Sequence, residues 1–420
     1  MVRTFGVVWA ALSSVLQWPL FSPAHDTFEL QKSWGVYSPF HAVEEYTPPP
    51  AGCEISQVNI LHRHGARLPS EKQSEDIIAG VKKLQSVQVY TDSRLDFLNT
   101  FVYSLGENLL VPLGAIQSFE SGKTAFERYS SLVTKDDIPF VRFAAASDGV
   151  YTPHLSLILN EGGNDTLQDN NCPNAASSHK EMSQWLDVYG PPITARLNSW
   201  APGADLRNED IHGLMMLCAF HTVASVPYGY VEGNPLPFSP FCSLFTPAEF
   251  EAFAYSSDVD RYYSTGQGGR LGRVQGSSTT LRRIPPSTPD PATFPLNRTV
   301  YADFTHDTIL VAVFNTLGLF PTRKLSTTHP KRHRAWRTSE IMTFSSRMVV
   351  EKLTCDRSVR GRHGSDTYVR ILVNEVVQPL KFCGAKKSGP WKGLCQFDAF
   401  LESQAYARND GNGDWEKCFE

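Results

Sequence analysis

One segment near residue 60 constrains the fold of this chain more than any other. Residues 55–61 (Ile-Ser-Gln-Val-Asn-Ile-Leu) are short and rich in branched side chains, which is typical of a β-strand entering a sheet. Beyond a polar turn, Ser70 and Gln73 match a helix-capping box. Apolar residues then recur at helical spacing, at Ile77, Ile78, Val81 and Leu84. A strand, a tight turn and a helix in this order predict an α/β sheet, in which ligands lie at the carboxyl ends of the strands.

The turn itself carries the chemistry of an anion site. Arg63 and Arg67 lie four residues apart around His64 and Gly65. Guanidinium groups bind phosphate oxygens bidentately, and we expect Gly65 to let the backbone approach a ligand. A neutral imidazole can attack phosphorus and form a phosphohistidine. An isolated histidine is more often structural, and an isolated arginine pair is more often a solvated surface.

The complete turn resembles a known signature. The string Arg63-His64-Gly65-Ala66-Arg67-x-Pro69 resembles that of the histidine acid phosphatases, and the resemblance is strongest to the fungal phytases in that family. It implies that His64 is the nucleophile and that Arg63 and Arg67 bind phosphate. His62 receives no role.

A second polar strand end follows at residues 299–320. Val300, Ala302 and Phe304 alternate as in a strand, and a helix over 309–317 is closed by Gly318. Taken alone, Asp307 is best explained as a helix N-cap. In the family that the chain resembles, a His-Asp pair binds phosphate and protonates the leaving oxygen, roles that fall here on His306 and Asp307. The resemblance implies an acidic optimum and no metal or other cofactor.

The chain departs from the family pattern in two places. The family's third phosphate-binding arginine falls on Gly149, and only ten residues separate Val150 from Glu161, where relatives carry a helix and a loop. A second shortening lies between residues 276 and 293, where four prolines exclude a continuous helix. Either the lineage lost these pieces, or this is a truncated gene model of an active phytase. Losing one hydrogen-bond donor to the transition state predicts turnover that is slower by about a hundredfold. The alternative is therefore an impaired relative whose function is to bind phosphorylated ligands.

Several features predict export. Residues 1–24 combine Arg3, a short apolar run and small residues at 22–24, as in a signal peptide; a buried helix or a membrane anchor is the alternative. All eight cysteines lie beyond it without a C-x-x-C pair, which favours disulfides. The family resemblance implies the pairs Cys53–Cys355, Cys172–Cys418, Cys218–Cys242 and Cys383–Cys395. Asn164 and Asn297 begin glycosylation sequons. We therefore expect a secreted glycoprotein.

The resemblance also implies the domain organisation. We expect a three-layer α/β/α sandwich with a mixed, mainly parallel sheet, formed by residues 25–150 and 293–420. Residues 151–292 form an inserted and apparently shortened α-helical cap domain. Helical periodicity over 112–133, 180–200, 210–223 and 247–263 agrees with this division, as does a strand at 138–144.

The expected partner is a small phosphate monoester, with phytate (inositol hexakisphosphate) as the expected substrate. A net charge of −4 gives no indication of nucleic-acid binding, and no segment beyond the first predicts a membrane partner. Lys72, Lys82 and Lys83 are candidate cations at the mouth of the pocket, although the exposed face of a helix explains them equally well. The basic residues 331–337 are interpreted as a solvated loop. A monomer is expected.

Overall fold

The computed structural model describes residues 29–144, 156–159, 167, 172–230, 236–276, 295, 297–356 and 365–420. The strands are β1 (Cys53–Arg63), β2 (Phe140–Ala144), β3 (Ser156–Leu159), β4 (Val300–Thr305), β5 (Arg347–Asp356), β6 (Ser365–Val373), β7 (Val376–Val377) and β8 (Cys395–Gln396). The helices are α1 (Glu71–Gln85), α2 (Pro112–Tyr129), α3 (His179–Trp200), α4 (Asn208–Ala224), α5 (Pro247–Tyr263), α6 (Asp307–Leu317), α7 (Thr338–Ile341), α8 (Phe397–Ser403) and α9 (Ala405–Arg408). The helices predicted from periodicity all form, and the capping box of Ser70 and Gln73 begins α1.

The strands form one mixed sheet in the order β3-β2-β4-β1-β5-β6-β7, with β8 beside β6. Strands β3, β2, β4 and β1 are parallel, whereas β5 to β8 join by antiparallel pairings. The predicted mixed α/β sheet is therefore confirmed. Strands β1 to β4 and β6 run in the same direction, and β5, β7 and β8 run in the opposite one.

The two faces of β1 pack against different helices. Val58 and Ile60 point to the face that contacts Tyr129 at the end of α2, while Leu61 joins the cluster that contains Leu310 of α6. Successive residues of a strand alternate between faces, so one strand supports both layers. This arrangement is the predicted helix–sheet–helix layering.

Helices α3, α4 and α5 lie between β3 and β4 in the sequence. They share one hydrophobic cluster with the sheet and with α1. A Cβ at Gly213 of α4 would lie 2.7 Å from the carbonyl oxygen of Asp76, so α4 packs tightly on α1. Residues 156–159 were predicted to lie in the cap, but as β3 they pair with β2 in the sheet. The separation of residues 151–292 as a cap domain otherwise stays a prediction.

The structure contains the four disulfide bonds that the resemblance implied. Asn297 is exposed, as a glycan acceptor must be. The predicted signal peptide, Gly149 and Asn164 lie outside the described residues. In the described part of the chain, no helix is long and apolar enough to span a bilayer.

Candidate active site

The two polar strand ends meet at one edge of the sheet. Strands β1 and β4 are parallel neighbours, and Arg63 at the end of β1 lies opposite Thr305 at the end of β4. The backbone N–H of His64 donates to the carbonyl oxygen of Thr305 at 3.1 Å. The rings of His64 and His306 consequently face each other edge-on, with centroids 5.6 Å apart. Residues 242 positions apart in the sequence thus converge because their strands are paired.

The hydrogen bond of the His64 ring defines which of its nitrogens is free. Nδ1 lies 2.8 Å from the carbonyl oxygen of Gly65 and donates its proton to it, so the lone pair is on Nε2. Burial lowers the pKa of His64 well below its usual range, and the positive charges of Arg63 and Arg67 lower it further. The imidazole is therefore neutral in mild acid and has a nucleophilic nitrogen.

The Arg63 side chain is almost fully buried and held on three sides. Its Nη1 donates to the carbonyl oxygens of Val36 at 2.6 Å and Met342 at 2.7 Å, and its Nη2 lies 3.1 Å from Oδ2 of Asp307. Burial lowers its pKa to about 10, while Asp307 acts in the opposite direction, so the guanidinium stays charged. Its Nε is buried without a hydrogen-bond partner among the described residues. An unpaired buried donor is costly, and an oxyanion would satisfy it.

Arg67 is the second arginine of the turn. Its Nη1 donates to the carbonyl oxygen of Leu68 at 2.7 Å, and the side chain is partly exposed. Its charge contributes to the low pKa of His64. Arg67 therefore belongs electrostatically to the same site as Arg63.

Gly65 has a different role from the one predicted. A Cβ at this position would lie 2.2 Å from the carbonyl oxygen of Gly114 in α2, and a Cβ at Gly114 would lie 2.0 Å from that of Ala66. The two glycines allow the turn and the first residues of α2 to touch. The expectation that Gly65 admits a ligand is therefore wrong, because the space that its missing side chain leaves is filled by helix α2.

Asp307 is the first residue of α6 and not its N-cap. His306 occupies the cap position with an extended backbone (φ −100°, ψ 164°), and Asp307 is already helical, so the N-cap interpretation is corrected. Oδ1 of Asp307 accepts from the N–H of Thr308 at 3.0 Å. Burial alone would raise the pKa of Asp307, but Arg261 and Arg63 together lower it well below its usual range. The resting carboxyl group is ionised.

Arg261 is the site residue that the sequence interpretation missed. It projects from the last turn of α5, and its Nε and Nη2 lie 3.3 and 3.0 Å from Oδ2 of Asp307. Its Nη1 is paired with Asp260, and the two carboxylates raise its pKa against the effect of burial. The available signal was the charged sequence 258–261 within a helix that is otherwise rich in buried aromatic residues.

The three candidate lysines do not form a common patch. Lys72 is exposed and paired with Glu75 and Asp76 on its own helix. Lys82 and Lys83 lie in the last turn of α1, roughly 17 Å along the axis from its first residue, so they are remote from the strand end. Lys83 instead contacts the buried Asp210 of α4 at 2.5 Å. Their assignment as pocket-mouth cations is wrong for Lys82 and Lys83, because the helix runs away from the site.

His62 also acquires a structural context. It is buried, with Nε2 3.1 Å from the hydroxyl of Ser345, and burial lowers its pKa to about 3. It is therefore a neutral core residue beside the site. No group of three or more potential metal ligands occurs among the described residues.

Comparisons with known proteins give the family. The sequence model of the histidine phosphatase superfamily (branch 2) matches residues 54–149 and 146–374, and the two matches meet where the family arginine was predicted to be missing. Phytase A of Aspergillus terreus is 32% identical over 93% of this chain and 91% of its own length. Phytase A of Aspergillus oryzae is 29% identical over 97% of each chain.

Solved structures show the same fold. The phytase from D. castellii superposes with a TM-score of 0.72 at 21% identity, covering 93% of this chain and 88% of its own. The multiple inositol polyphosphate phosphatase of Bifidobacterium longum, in complex with inositol hexasulfate, gives a TM-score of 0.60 at 13% identity, covering 90% and 98%. The signature turn, the fold and the sequence match agree, and the chain belongs to the histidine phosphatase superfamily, branch 2.

Proposed function

We propose that this protein is a secreted acid phosphatase that hydrolyses phytate and other phosphate monoesters through a phosphohistidine. The observation that carries the proposal is the free Nε2 of a neutral His64 between two arginines and opposite His306 and Asp307. The relatives named phytase A support phytate as the substrate. The disulfides support an extracellular location.

The basic side chains of the site explain how it would bind a phosphate group. Arg63, Arg67 and His306 would contact the oxygens that do not react, and such contacts are most of what phosphoryl transfer requires from a protein. The unpaired Nε of Arg63 supports a direct hydrogen bond to one of them. His64 Nε2 then attacks phosphorus in line with the ester oxygen that leaves.

Proton transfer falls to Asp307. In the resting protein its Oδ2 is shared by Arg63 and Arg261. A bound phosphate offers these arginines other oxygens and so weakens the attraction that keeps Asp307 ionised. Asp307 can then take a proton in acid and give it to the leaving alkoxide. Water afterwards attacks the phosphohistidine with Asp307 as the base, which restores both groups.

The cap organisation is also part of the proposal. Arg261 lies on α5, within the segment 151–292, and it contacts Asp307 on α6. This contact supports a pocket bounded by the sheet edge on one side and by the helical segment on the other.

One observation favours a second function, a relative that binds phosphorylated ligands without turnover. The family resemblance places the third arginine at Gly149, and the family model matches the chain as two segments that overlap at residues 146–149. Such a protein would keep the anion site of Arg63 and Arg67 but hydrolyse slowly or not at all.

Phosphate release from phytate and from an aryl phosphate near pH 5 separates these functions. We expect release by the chain as written, its loss in His64→Ala and its retention in the exposed control His329→Ala. Gly149→Arg should increase the rate by up to about a hundredfold if this one donor is missing. Phosphate binding without release by either the chain or Gly149→Arg would contradict the phosphatase and support the binding function.

A further inference from the structure

The segment 321–337 is unusually basic for this chain. It contains six lysine or arginine residues, two histidines and no acidic residue, whereas the whole chain has a net charge of −4. An ordinary surface mixes charges of both signs, and this segment does not. The sequence alone indicated a solvated loop at residues 331–337, but the structure places residues of the whole segment around a cavity.

The cavity has a volume of about 340 Å³ and lies between this segment and α5. Cationic side chains dominate its lining, which includes Arg323, Lys324, Lys331, His333 and Arg334. Thr322 and Ser326 add hydroxyl groups, and none of its lining residues is acidic. The volume lies within the roughly 300–1,000 Å³ of small-molecule sites.

Two interactions fix the walls of the cavity. Arg334 Nε donates to Asp258 at 2.8 Å, while the other carboxylate oxygen of Asp258 accepts from the N–H and hydroxyl of Thr338. The hydroxyl of Tyr255 donates to the carbonyl oxygen of Ser326 at 2.6 Å. The segment is therefore anchored to α5 by one arginine whose charge is already neutralised.

The other cations of the lining are not neutralised in this way. Within the described residues, Arg323, Lys324 and Lys331 form no ion pair with a carboxylate. Like charges held around one concave surface repel each other, and an anion in the cavity would remove that repulsion.

The cavity is separate from the active site. It shares no lining residue with the site built on Arg63, His64 and Asp307. Tyr255 in its wall precedes Arg261 by six residues on α5, which is about 9 Å along the helix axis. An anion in the cavity would not occupy the position of the reacting phosphate.

We propose that this cavity is a second anion site, which binds a small polyanion carrying several phosphate groups. Lysine and arginine side chains that converge on a pocket of this size match a compact ligand with several charges. The proposal goes beyond the phosphatase function and does not depend on it, because binding requires no turnover.

Equilibrium titration of the intact protein tests the proposal. The probe is myo-inositol hexakissulfate, whose sulfates replace the phosphates and are not hydrolysed, measured by calorimetry near pH 5 at low ionic strength. We expect two binding events in the unmodified protein. Lys324→Glu/Lys331→Glu should weaken one of them by about tenfold or more and leave the other, together with aryl phosphate hydrolysis, unchanged.

Lys386→Glu/Lys387→Glu is the matched control, since it makes the same change of charge on exposed residues elsewhere. A single event in the unmodified protein, or equal weakening by both double variants, would overturn the proposal. A sulfated polysaccharide that binds through Lys324 and Lys331 when hexakissulfate does not would also overturn it and assign the cavity to a polymer. A failure of phosphate release would leave the second event in place, so the two proposals fail separately.

Discussion

Arg261 gives the sharpest test of the site, because it contacts Asp307 without belonging to either signature segment. Its Nη2 lies 3.0 Å from Oδ2 of Asp307, and both side chains are largely buried. Charges about 4 Å apart attract by ~4 kcal/mol at an effective dielectric constant of about 20. Arg261→Gln removes this attraction and keeps a polar, although shorter, side chain.

Two consequences are expected. The value of kcat/KM for an aryl phosphate should fall by about a hundredfold, as on removal of one transition-state donor. The pKa of Asp307 should rise, because the largest of the interactions that lower it against the effect of burial is then removed. The fall of kcat on the alkaline side, which reports the enzyme–substrate complex, should therefore move to higher pH by about one unit or more, since 1.4 kcal/mol corresponds to one unit.

Rate profiles from about pH 3 to about pH 7 measure both effects. Arg261→Lys keeps the charge, so it should restore the position of the alkaline limb while recovering only part of the rate. Arg196→Gln is the matched control, because Arg196 pairs with Glu249 of α5. Glu249 lies in the first turn of α5, roughly 18 Å along the helix axis from Arg261. An Arg261→Gln protein that folds normally with unchanged kcat/KM and pH limbs would refute the reasoning.

Three further predictions concern stability, measured by urea unfolding. Gly114→Ala should lower the free energy of unfolding by about 1–3 kcal/mol, since its Cβ would meet the Ala66 carbonyl oxygen at 2.0 Å. Asp303→Asn should cost about 3–5 kcal/mol, because it leaves the buried Arg142 without the carboxylate that it contacts bidentately. Burial lowers the pKa of His62 to about 3 in the folded state, against an ordinary value of about 6.5, so the unfolded state binds more protons between these values. His62 should therefore make stability fall with falling pH there by up to about 1.4 kcal/mol per unit, and His62→Gln should reduce the total slope by this share.

Each of these predictions has a control on the same chain. Gly122 also lies in α2, but nothing is within 4 Å of its missing Cβ, so Gly122→Ala should not destabilise. The partly exposed Asp92 pairs with the exposed Arg94, and Asp92→Asn should have little effect. His329→Gln, at an exposed position, should leave the pH slope in place. Equal effects of a variant and its control would contradict the corresponding structural reason.

The sequence was most informative where the determinants are local. The turn from Arg63 to Arg67 and the pair His306-Asp307 are each contiguous, and both follow a recognisable strand and precede a helix. The convergence of the two segments then follows from a general rule about parallel strand ends. The candidate nucleophile and its neighbours could therefore be proposed from the sequence.

The errors share one cause, which is packing between elements distant in the sequence. Gly65 was expected to let the backbone approach a ligand, but the space beside it is filled by Gly114, about fifty residues later in the sequence. Lys83 was predicted to lie at the mouth of the pocket, but it contacts Asp210 of another helix. Arg261 drew no prediction from the sequence, because its partner, Asp307, lies on another helix. Periodicity shows which face of a helix is buried, but not which buried polar group it meets.

The charge balance of the site explains why such a partner is needed. Arg63 and Arg261 are buried cations, and without a bound anion each would carry an uncompensated charge at a cost of several kcal/mol. Asp307 and Asp260 supply the missing negative charge in the resting protein. A phosphate that enters the pocket can supply the negative charge that Asp307 provides in the resting protein. Asp307 can then become protonated. The carboxyl group that balances the charge of these arginines is thus the one that the proposed reaction requires as an acid.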